Sequence, residues 1–157
     1  MAVDVVTEIV INRPRGQVAT YAGDPSNAPR WYGNIESVEW KTPPPFRVGS
    51  RMAFVAHFLG RTLAYTYEIV ELAPGERLVM RTAEGPFPME TTYTWEHAEQ
   101  DATRMTLRNR GEPTGFSKVG APVMAAAMRR ANRKDLATLK ALLEGRPAPA
   151  REGRAGE

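Results

Sequence analysis

The chain has 157 residues, a formal charge of +3 and no cysteine, with 42% hydrophobic and 25% charged residues. This length and composition predict one globular domain with its own hydrophobic core. The absence of cysteine excludes a disulfide framework, a thiolate nucleophile and a cysteine zinc site. No basic segment followed by an apolar run opens the chain, and no stretch reaches the roughly 20 apolar residues that cross a bilayer. We therefore expect a cytoplasmic protein without membrane insertion.

The first 45 residues predict two strands separated by short helical pieces. Residues 3–12 are rich in β-branched side chains and stop before Pro14, which is typical of a strand. Residues 17–21 suit a short helix, and a cluster of glycine, proline, aspartate and asparagine at 23–29 then breaks the chain. A short helical or irregular piece carries Trp31 and Tyr32, and a second strand at 35–41 ends before three consecutive prolines.

Residues 48–110 predict an antiparallel meander. Strand-like runs at 51–58, 62–71, 77–82, 89–97 and 103–110 are separated by turn signals such as Gly60 and Gly75. With the first two strands this makes seven. Alternate positions in most runs are apolar, as in Met52 and Phe54, and the opposite phase holds polar residues such as Arg51, His57 and Thr92. One face of the predicted sheet is dry and the other is wet.

The C-terminal part predicts one long helix that covers the dry face. Residues 116–143 are rich in alanine, methionine and leucine. A single stripe at helical spacing runs through Leu143, Leu139, Leu136, Asn132, Met128 and Met124. Gly145 ends the helix and Pro147 prevents its continuation. Residues 145–157 show no apolar periodicity, so we predict a disordered tail.

Several short segments carry a resemblance to a known superfamily. They lie at 10–14, 31, 48–51, 67–74, 93–96 and 135–140. In these segments the sequence resembles the START/Bet v 1-like (SRPBCC) superfamily, especially its bacterial polyketide cyclase/dehydrase-type members. The resemblance implies an α+β helix-grip fold over residues 1–144, with a seven-stranded curved antiparallel sheet wrapped around a long C-terminal helix and two short helices after strand 1. Members hold lipids, sterols, polyketides or aromatic metabolites between sheet and helix, and some cyclise a polyketide.

The candidate ligand-binding residues are aromatic, methionine and amide side chains at apolar positions. Tyrosines combine a large ring with an orienting hydroxyl, and a buried amide needs a hydrogen-bond partner that a ligand can supply. Core packing is the alternative for each of them. The predicted residues are Trp31, Phe54, Tyr65, Tyr67, Met80, Tyr93, Met105, Asn109, Met124, Met128 and Asn132.

Other chemistry finds little support in the sequence. His57 falls in the polar phase and His97 lies beside a turn, so we expect both at the surface, and no spacing makes them metal ligands. There is no nucleophile elbow, phosphate loop or paired-carboxylate pattern. We therefore predict no cofactor and no metal. The basic cluster at 129–134 lacks interleaved aromatic residues, which favours a solvated helix face over nucleic-acid binding.

Three functions remain open from the sequence. The first is binding or carriage of a small hydrophobic or aromatic metabolite, lipid-like or polyketide-like, in the cavity between sheet and helix. The second is a polyketide cyclase/dehydratase-type enzyme that uses pocket tyrosine or histidine groups. The third is an interaction module similar to the co-chaperone branch of the superfamily. A homodimer, the ligand's identity and the pocket volume also stay open.

Overall fold

The computed structural model describes residues 2–112 and 120–145. In chain order the elements are β1 Val3–Ile11, α1 Arg15–Ala22, a 3-10 turn Pro25–Asn27, α2 Ala28–Trp31, β2 Ile35–Trp40, β3 Arg51–Phe58, β4 Arg61–Ala73, β5 Arg77–Glu84, β6 Met89–Ala98, a 3-10 turn Glu99–Asp101, β7 Ala102–Gly111 and α3 Ala121–Glu144. All seven predicted strands are confirmed, each within two residues at either end.

The strands form one antiparallel sheet in the order β1-β7-β6-β5-β4-β3-β2. The meander runs from β2 to β7, and β1 returns to pair with β7 along its whole length. The pairing register shifts between Ile35 and Ser37, and again at two places in β4. Such bulges bend a strand and increase its twist. The sheet therefore curls into a half-barrel, which confirms the helix-grip fold.

Burial follows the predicted alternation over most of the sheet, with exceptions in β5 and β6. In β3, Met52 and Phe54 are buried while Arg51 and His57 are exposed. Thr92 was predicted on the wet face, but it is buried. Its cross-strand neighbours are Val79 of β5 and Arg108 of β7, so side chains on both sides cover it in the middle of the sheet.

The long helix α3 packs its predicted stripe against the sheet. Met124, Met128, Asn132, Leu136 and Leu139 are all buried, and Leu143 packs at the edge of the core. The C-terminal half joins the main core cluster, whereas the two methionines join a smaller cluster with residues of β1 and β4.

Polar contacts fix the C-terminal end of α3 to β1. The Lys140 Nζ donates to the Val10 carbonyl at 2.6 Å, and the Asn12 N–H donates to Glu144 Oε2 at 2.7 Å. Gly145 follows with φ of 72°, a left-handed conformation that glycine adopts without strain, as expected for the residue that ends a helix.

The helix begins later than its composition predicts. Gly120 is extended, with ψ of 156°, and α3 starts at Ala121 with Pro122 in the first turn. This is a favoured arrangement because proline lacks only an N–H that would stay unpaired there. Residues 116–119, and residues 146–157 of the disordered tail predicted at 145–157, lie outside the described residues.

Candidate functional site

A cavity of about 140 Å³ lies between the inner face of the sheet and α3. This is close to the ~150 Å³ of an engineered apolar cavity that binds benzene, so it suits one ring or two fused rings. Its wall is mainly apolar and aromatic, with a few polar groups. The lining residues that give the cavity its chemical character are Tyr32, Phe54, Tyr65, Tyr67, Met80, Phe87, Met89, Thr91, Tyr93, Asn109, Met124, Met128, Asn132 and Asp135.

The register of β3 and β4 builds an aromatic wall on one side. Phe54 lies directly opposite Tyr65, and their rings stack with centroids 5.5 Å apart. Tyr67 is two residues further along β4, on the same face, and its ring centroid lies 5.0 Å from that of Tyr65. Offset and tilted ring pairs of this kind are favourable packing for aromatic side chains.

The hydroxyl groups of Tyr32 and Tyr93, which both line the cavity, form a hydrogen bond with an O–O distance of 2.5 Å. Tyr32 directly follows α2, and Tyr93 lies in the middle of β6. The Trp31 ring packs against both, with centroids 4.1 Å from Tyr32 and 5.8 Å from Tyr93. The buried Trp31 ring therefore supports the two phenol rings on the side that faces the hydrophobic core.

A second polar chain runs from Tyr67 through Thr91 to Asn109. The Thr91 hydroxyl donates to Asn109 Oδ1 at 2.7 Å, as expected for residues that are paired across β6 and β7. The Tyr67 hydroxyl lies 2.9 Å from Thr91 Oγ1. Since Thr91 has one hydroxyl proton, Tyr67 is the donor in this contact.

The Tyr65 hydroxyl has no hydrogen bond to any described residue, although its ring lines the cavity. Burial raises the pKa of all four phenols, and neighbouring tyrosines add to the effect at Tyr32 and Tyr65. The pKa of Tyr67 rises to about 12, chiefly through burial. At neutral pH these hydroxyls are uncharged hydrogen-bonding groups.

Two polar residues of α3 face the same cavity. Asn132 and Asp135 are three positions apart, which places them on one helix face, and each is only 5% exposed. The Asn132 Nδ2 is buried without a hydrogen-bond partner. Leaving such a donor unpaired costs about 1–3 kcal/mol, which a ligand's acceptor would remove.

Asp135 ties α3 to the segment after α2. Its Oδ1 accepts the Gly33 N–H at 2.8 Å, and its negative charge further raises the pKa of Tyr32 and Tyr93. Sequence analysis missed this residue as a site candidate. The feature of the sequence that could have identified Asp135 is its position three residues after Asn132, next to the apolar stripe of the helix.

Nine of the eleven predicted ligand-binding residues line the cavity: Phe54, Tyr65, Tyr67, Met80, Tyr93, Asn109, Met124, Met128 and Asn132. Trp31 and Met105 do not, and both are fully buried in the main core cluster. Trp31 lies behind the two phenols. Met105 is enclosed between Ile9 of β1 and Trp95 of β6.

Both histidines are exposed and lie outside the cavity. The His57 Nε2 lies 3.0 Å from Glu36 Oε2 at the surface. Across residues 2–112 and 120–145, no group of three or more histidine, aspartate or glutamate side chains is placed to hold a metal ion. Within the same residues, no helix has the length and apolar character needed to cross a membrane.

A second, larger recess of about 360 Å³ opens beside α1, between Trp40, Phe46 and Trp95. It shares Gly23, Pro25 and Leu78 with the cavity. It lacks the clustered tyrosine hydroxyls and the amide, and therefore offers fewer groups that could orient a ligand. The cavity under α3 is the better candidate site.

A curled antiparallel sheet that encloses an apolar cavity with a long helix defines a helix-grip protein with an internal cavity. Residues 2–144 match the family described as polyketide cyclase / dehydrase and lipid transport, and the chain belongs to this family. Its fold is that of the START/SRPBCC superfamily. Comparison with functionally curated proteins found no match.

Solved structures share this fold at low sequence identity. The protein TTHA0849 from Thermus thermophilus is 21% identical with a TM-score of 0.77, over 90% of this chain and 97% of that one. The Zhui aromatase/cyclase from Streptomyces sp. R1128 is 14% identical with a TM-score of 0.74, over 92% and 94%. A START superfamily protein from Mycobacterium smegmatis is 15% identical with a TM-score of 0.73, over 90% and 94%.

Proposed function

We propose that the protein binds one small, largely apolar, aromatic metabolite in the cavity between the sheet and α3. The observation that carries this proposal is an aromatic wall combined with the Tyr65 hydroxyl and the Asn132 Nδ2, two polar groups without hydrogen-bond partners among the described residues. A site of this composition binds through apolar contact and orients its ligand through a few polar groups. Membership of a family of cyclases, dehydrases and lipid transporters supports the same broad class of ligand.

The neutral fluorophore 1-aminonaphthalene, which has two fused rings, tests this proposal directly. We expect saturable fluorescence enhancement with one site per chain. Met128→Trp places a large side chain in the cavity and abolishes the enhancement. Val123→Trp is the matched control, because Val123 is on the same helix but 61% exposed. Enhancement that survives Met128→Trp, or its absence in the wild type, would contradict the proposal.

Native mass spectrometry of freshly purified protein addresses the natural ligand. We expect a retained small molecule at one copy per chain, which organic extraction releases for identification. The Met128→Trp variant should carry none, whereas the Val123→Trp variant should carry the same mass as the wild type. Equal retention by both variants would place the molecule outside the cavity and count against the proposal.

Asp135 favours a second candidate function, that of a polyketide cyclase/dehydratase-type enzyme. A buried carboxylate at the cavity wall can accept a proton from the carbon beside a ligand carbonyl. The developing enolate oxygen would then receive hydrogen bonds from Asn132 Nδ2 or the Tyr65 hydroxyl. The carboxylate returns the proton at the end of the step, so the site needs no cofactor for this chemistry.

Deuterium exchange at the carbons beside the carbonyl of 2-tetralone, followed by NMR in D2O, tests this candidate. We expect the wild type to accelerate exchange above the buffer rate. Asp135→Asn should lose most of this acceleration, roughly 100-fold or more, while the amide oxygen still accepts the Gly33 N–H. Asp101→Asn, in the exposed turn before β7, is the control. Equal rates in the wild type and Asp135→Asn would rule out this role.

An interaction module that uses the basic face of α3 would need an exposed apolar patch beside Arg129 and Arg133. On α3 the large exposed apolar side chains are Val123 and Leu142. They are 19 residues apart, which corresponds to about 28 Å along a helix. Arg129 itself is half-buried. The described residues of this helix therefore give that alternative no support.

A further inference from the structure

The unpartnered donor of Asn132 indicates what the ligand must present. Its Nδ2 is buried, has no hydrogen-bond partner and belongs to a side chain that lines the cavity. An amide N–H can only donate, so its natural complement is an acceptor such as a carbonyl oxygen. A ligand without an acceptor at this point would leave the donor unpaired.

The charges around the cavity restrict the ligand further. Among the described residues that line it, Asp135 is the one ionisable carboxylate, and there is no lysine, arginine or histidine. An anion that leaves water for this wall would lose its hydration without meeting a cation. The four phenols stay protonated, so they add no charge, although their hydroxyls can hydrogen-bond to a neutral ligand.

We infer that the cavity selects an uncharged aromatic compound of one or two rings whose carbonyl oxygen accepts a hydrogen bond from Asn132, and that it rejects the corresponding carboxylate. This inference rests on the proposed binding function and adds two selection rules to it. Fatty acids and aromatic acids would be poor ligands, whereas aryl ketones, aldehydes and quinone-like compounds would be good ones.

Three probes of nearly equal shape separate the two rules. They are 2-acetylnaphthalene, which is neutral with a carbonyl, 2-ethylnaphthalene, which is neutral without one, and 2-naphthoate, which is an anion at neutral pH. Displacement of 1-aminonaphthalene gives each affinity. We expect 2-acetylnaphthalene to bind about tenfold tighter than 2-ethylnaphthalene and roughly 100-fold tighter than 2-naphthoate.

The Asn132→Leu variant tests the residue itself. It should bind the acetyl and ethyl probes equally, because the donor is gone while the shape of the side chain is similar. Asn132→Ala is a second variant with the same expectation, and a cooperative thermal transition confirms that each is folded. A tenfold preference for the acetyl probe that persists in both folded variants would overturn the role of Asn132.

Failure of this inference can be told apart from failure of the proposed function. Equal affinity of the wild type for all three probes would overturn the selection rules and leave apolar binding intact. Tight binding of 2-naphthoate would overturn the exclusion of anions alone. If neither the fluorophore nor any naphthalene binds, the proposed function and this inference are both wrong.

Discussion

At the scale of single residues, the cavity owes its polarity mainly to hydroxyl and amide groups that carry no charge. Tyr32 and Tyr93 satisfy each other, and Tyr67 is satisfied by Thr91. Tyr65 and Asn132 keep hydrogen-bonding capacity that no described residue uses. The hydroxyls of Tyr32, Tyr93 and Tyr67 are therefore held by their partners, whereas Tyr65 and Asn132 are the groups that we propose to orient a ligand.

Tyr93→Phe tests the value of the phenol pair. The change leaves the buried Tyr32 hydroxyl without its partner, and we expect a loss of about 1–2 kcal/mol in the free energy of unfolding. Denaturant titration measures this loss. Tyr21→Phe is the control, because the Tyr21 hydroxyl makes no hydrogen bond to any described residue. A loss no larger than that of the control would show that the 2.5 Å contact between the two hydroxyls contributes little.

Alkaline pH tests the burial of Tyr67. Its pKa rises from the ordinary 10.0 to about 12 in the folded protein, so the unfolded chain releases the proton first as pH increases. The corresponding stability is complete below about pH 10 and is lost between about pH 10 and pH 12. We expect the free energy of unfolding to fall less steeply over this range in Tyr67→Phe than in the wild type. Parallel pH profiles would contradict the shift.

At the scale of elements, one carboxylate clamps three strands on the outer face of the sheet. Glu90 of β6 lies opposite Arg81 of β5 and Arg110 of β7. Its two oxygens bind the two guanidinium groups at 2.7 and 2.8 Å. Burial raises the pKa of Glu90, but the hydrogen bonds from both arginines outweigh this and hold it below 4.5. These ion pairs therefore link β5, β6 and β7 on the face of the sheet opposite the cavity.

Glu90→Gln should cost roughly 1 kcal/mol at neutral pH, a modest value because the arginines are half exposed to solvent. The stabilisation is present above about pH 4.5 and is lost as pH falls through the lowered pKa. The wild type and the variant should therefore converge in stability once the pH lies below that pKa. Glu39→Gln, which removes an exposed pair with Lys41, should change stability little at either pH. A gap that persists at low pH would contradict the clamp.

At the scale of the whole molecule, the cavity is expected to lower the stability of the fold. A long helix that covers a curved sheet could pack a continuous apolar core, yet α3 places Asn132 and Asp135 at the cavity wall. Buried polar groups of this kind are retained at functional sites at some cost in stability. The cavity is a departure from complete packing of this core, and the unpaired Asn132 Nδ2 is a departure from complete hydrogen bonding.

Asn132→Leu should therefore stabilise the ligand-free protein. The change removes an unpaired buried donor and adds apolar contact, so we expect the free energy of unfolding to rise by about 1 kcal/mol and Tm by a few degrees. Differential scanning calorimetry of ligand-free samples measures both. Leu136→Ala, one turn further along α3 and fully buried, should destabilise by about 2–5 kcal/mol. A lower Tm in Asn132→Leu would show that the amide supports the fold.

The sequence predicted the fold because periodic patterns record it locally. Alternation along β3 or β7 and the helical stripe from Met124 to Leu143 indicate which face of each element is buried, whatever its neighbours are. The same patterns identified nine residues that line the cavity, since a residue on the dry face of the sheet or the helix faces the space between them.

The remainder of the site was decided by the tertiary structure. Trp31 and Met105 satisfy the same apolar pattern as Tyr65, but only the packing of α2 and the neighbouring strands shows that they lie behind the wall. Tyr32, Thr91 and Asp135 gain their roles from partners 61, 24 and 102 positions away in the chain. The sequence therefore determined the elements and their buried faces, and only their assembly brought these hydroxyls, the amide and the carboxylate together, because hydrogen bonds between distant residues leave no periodic signal.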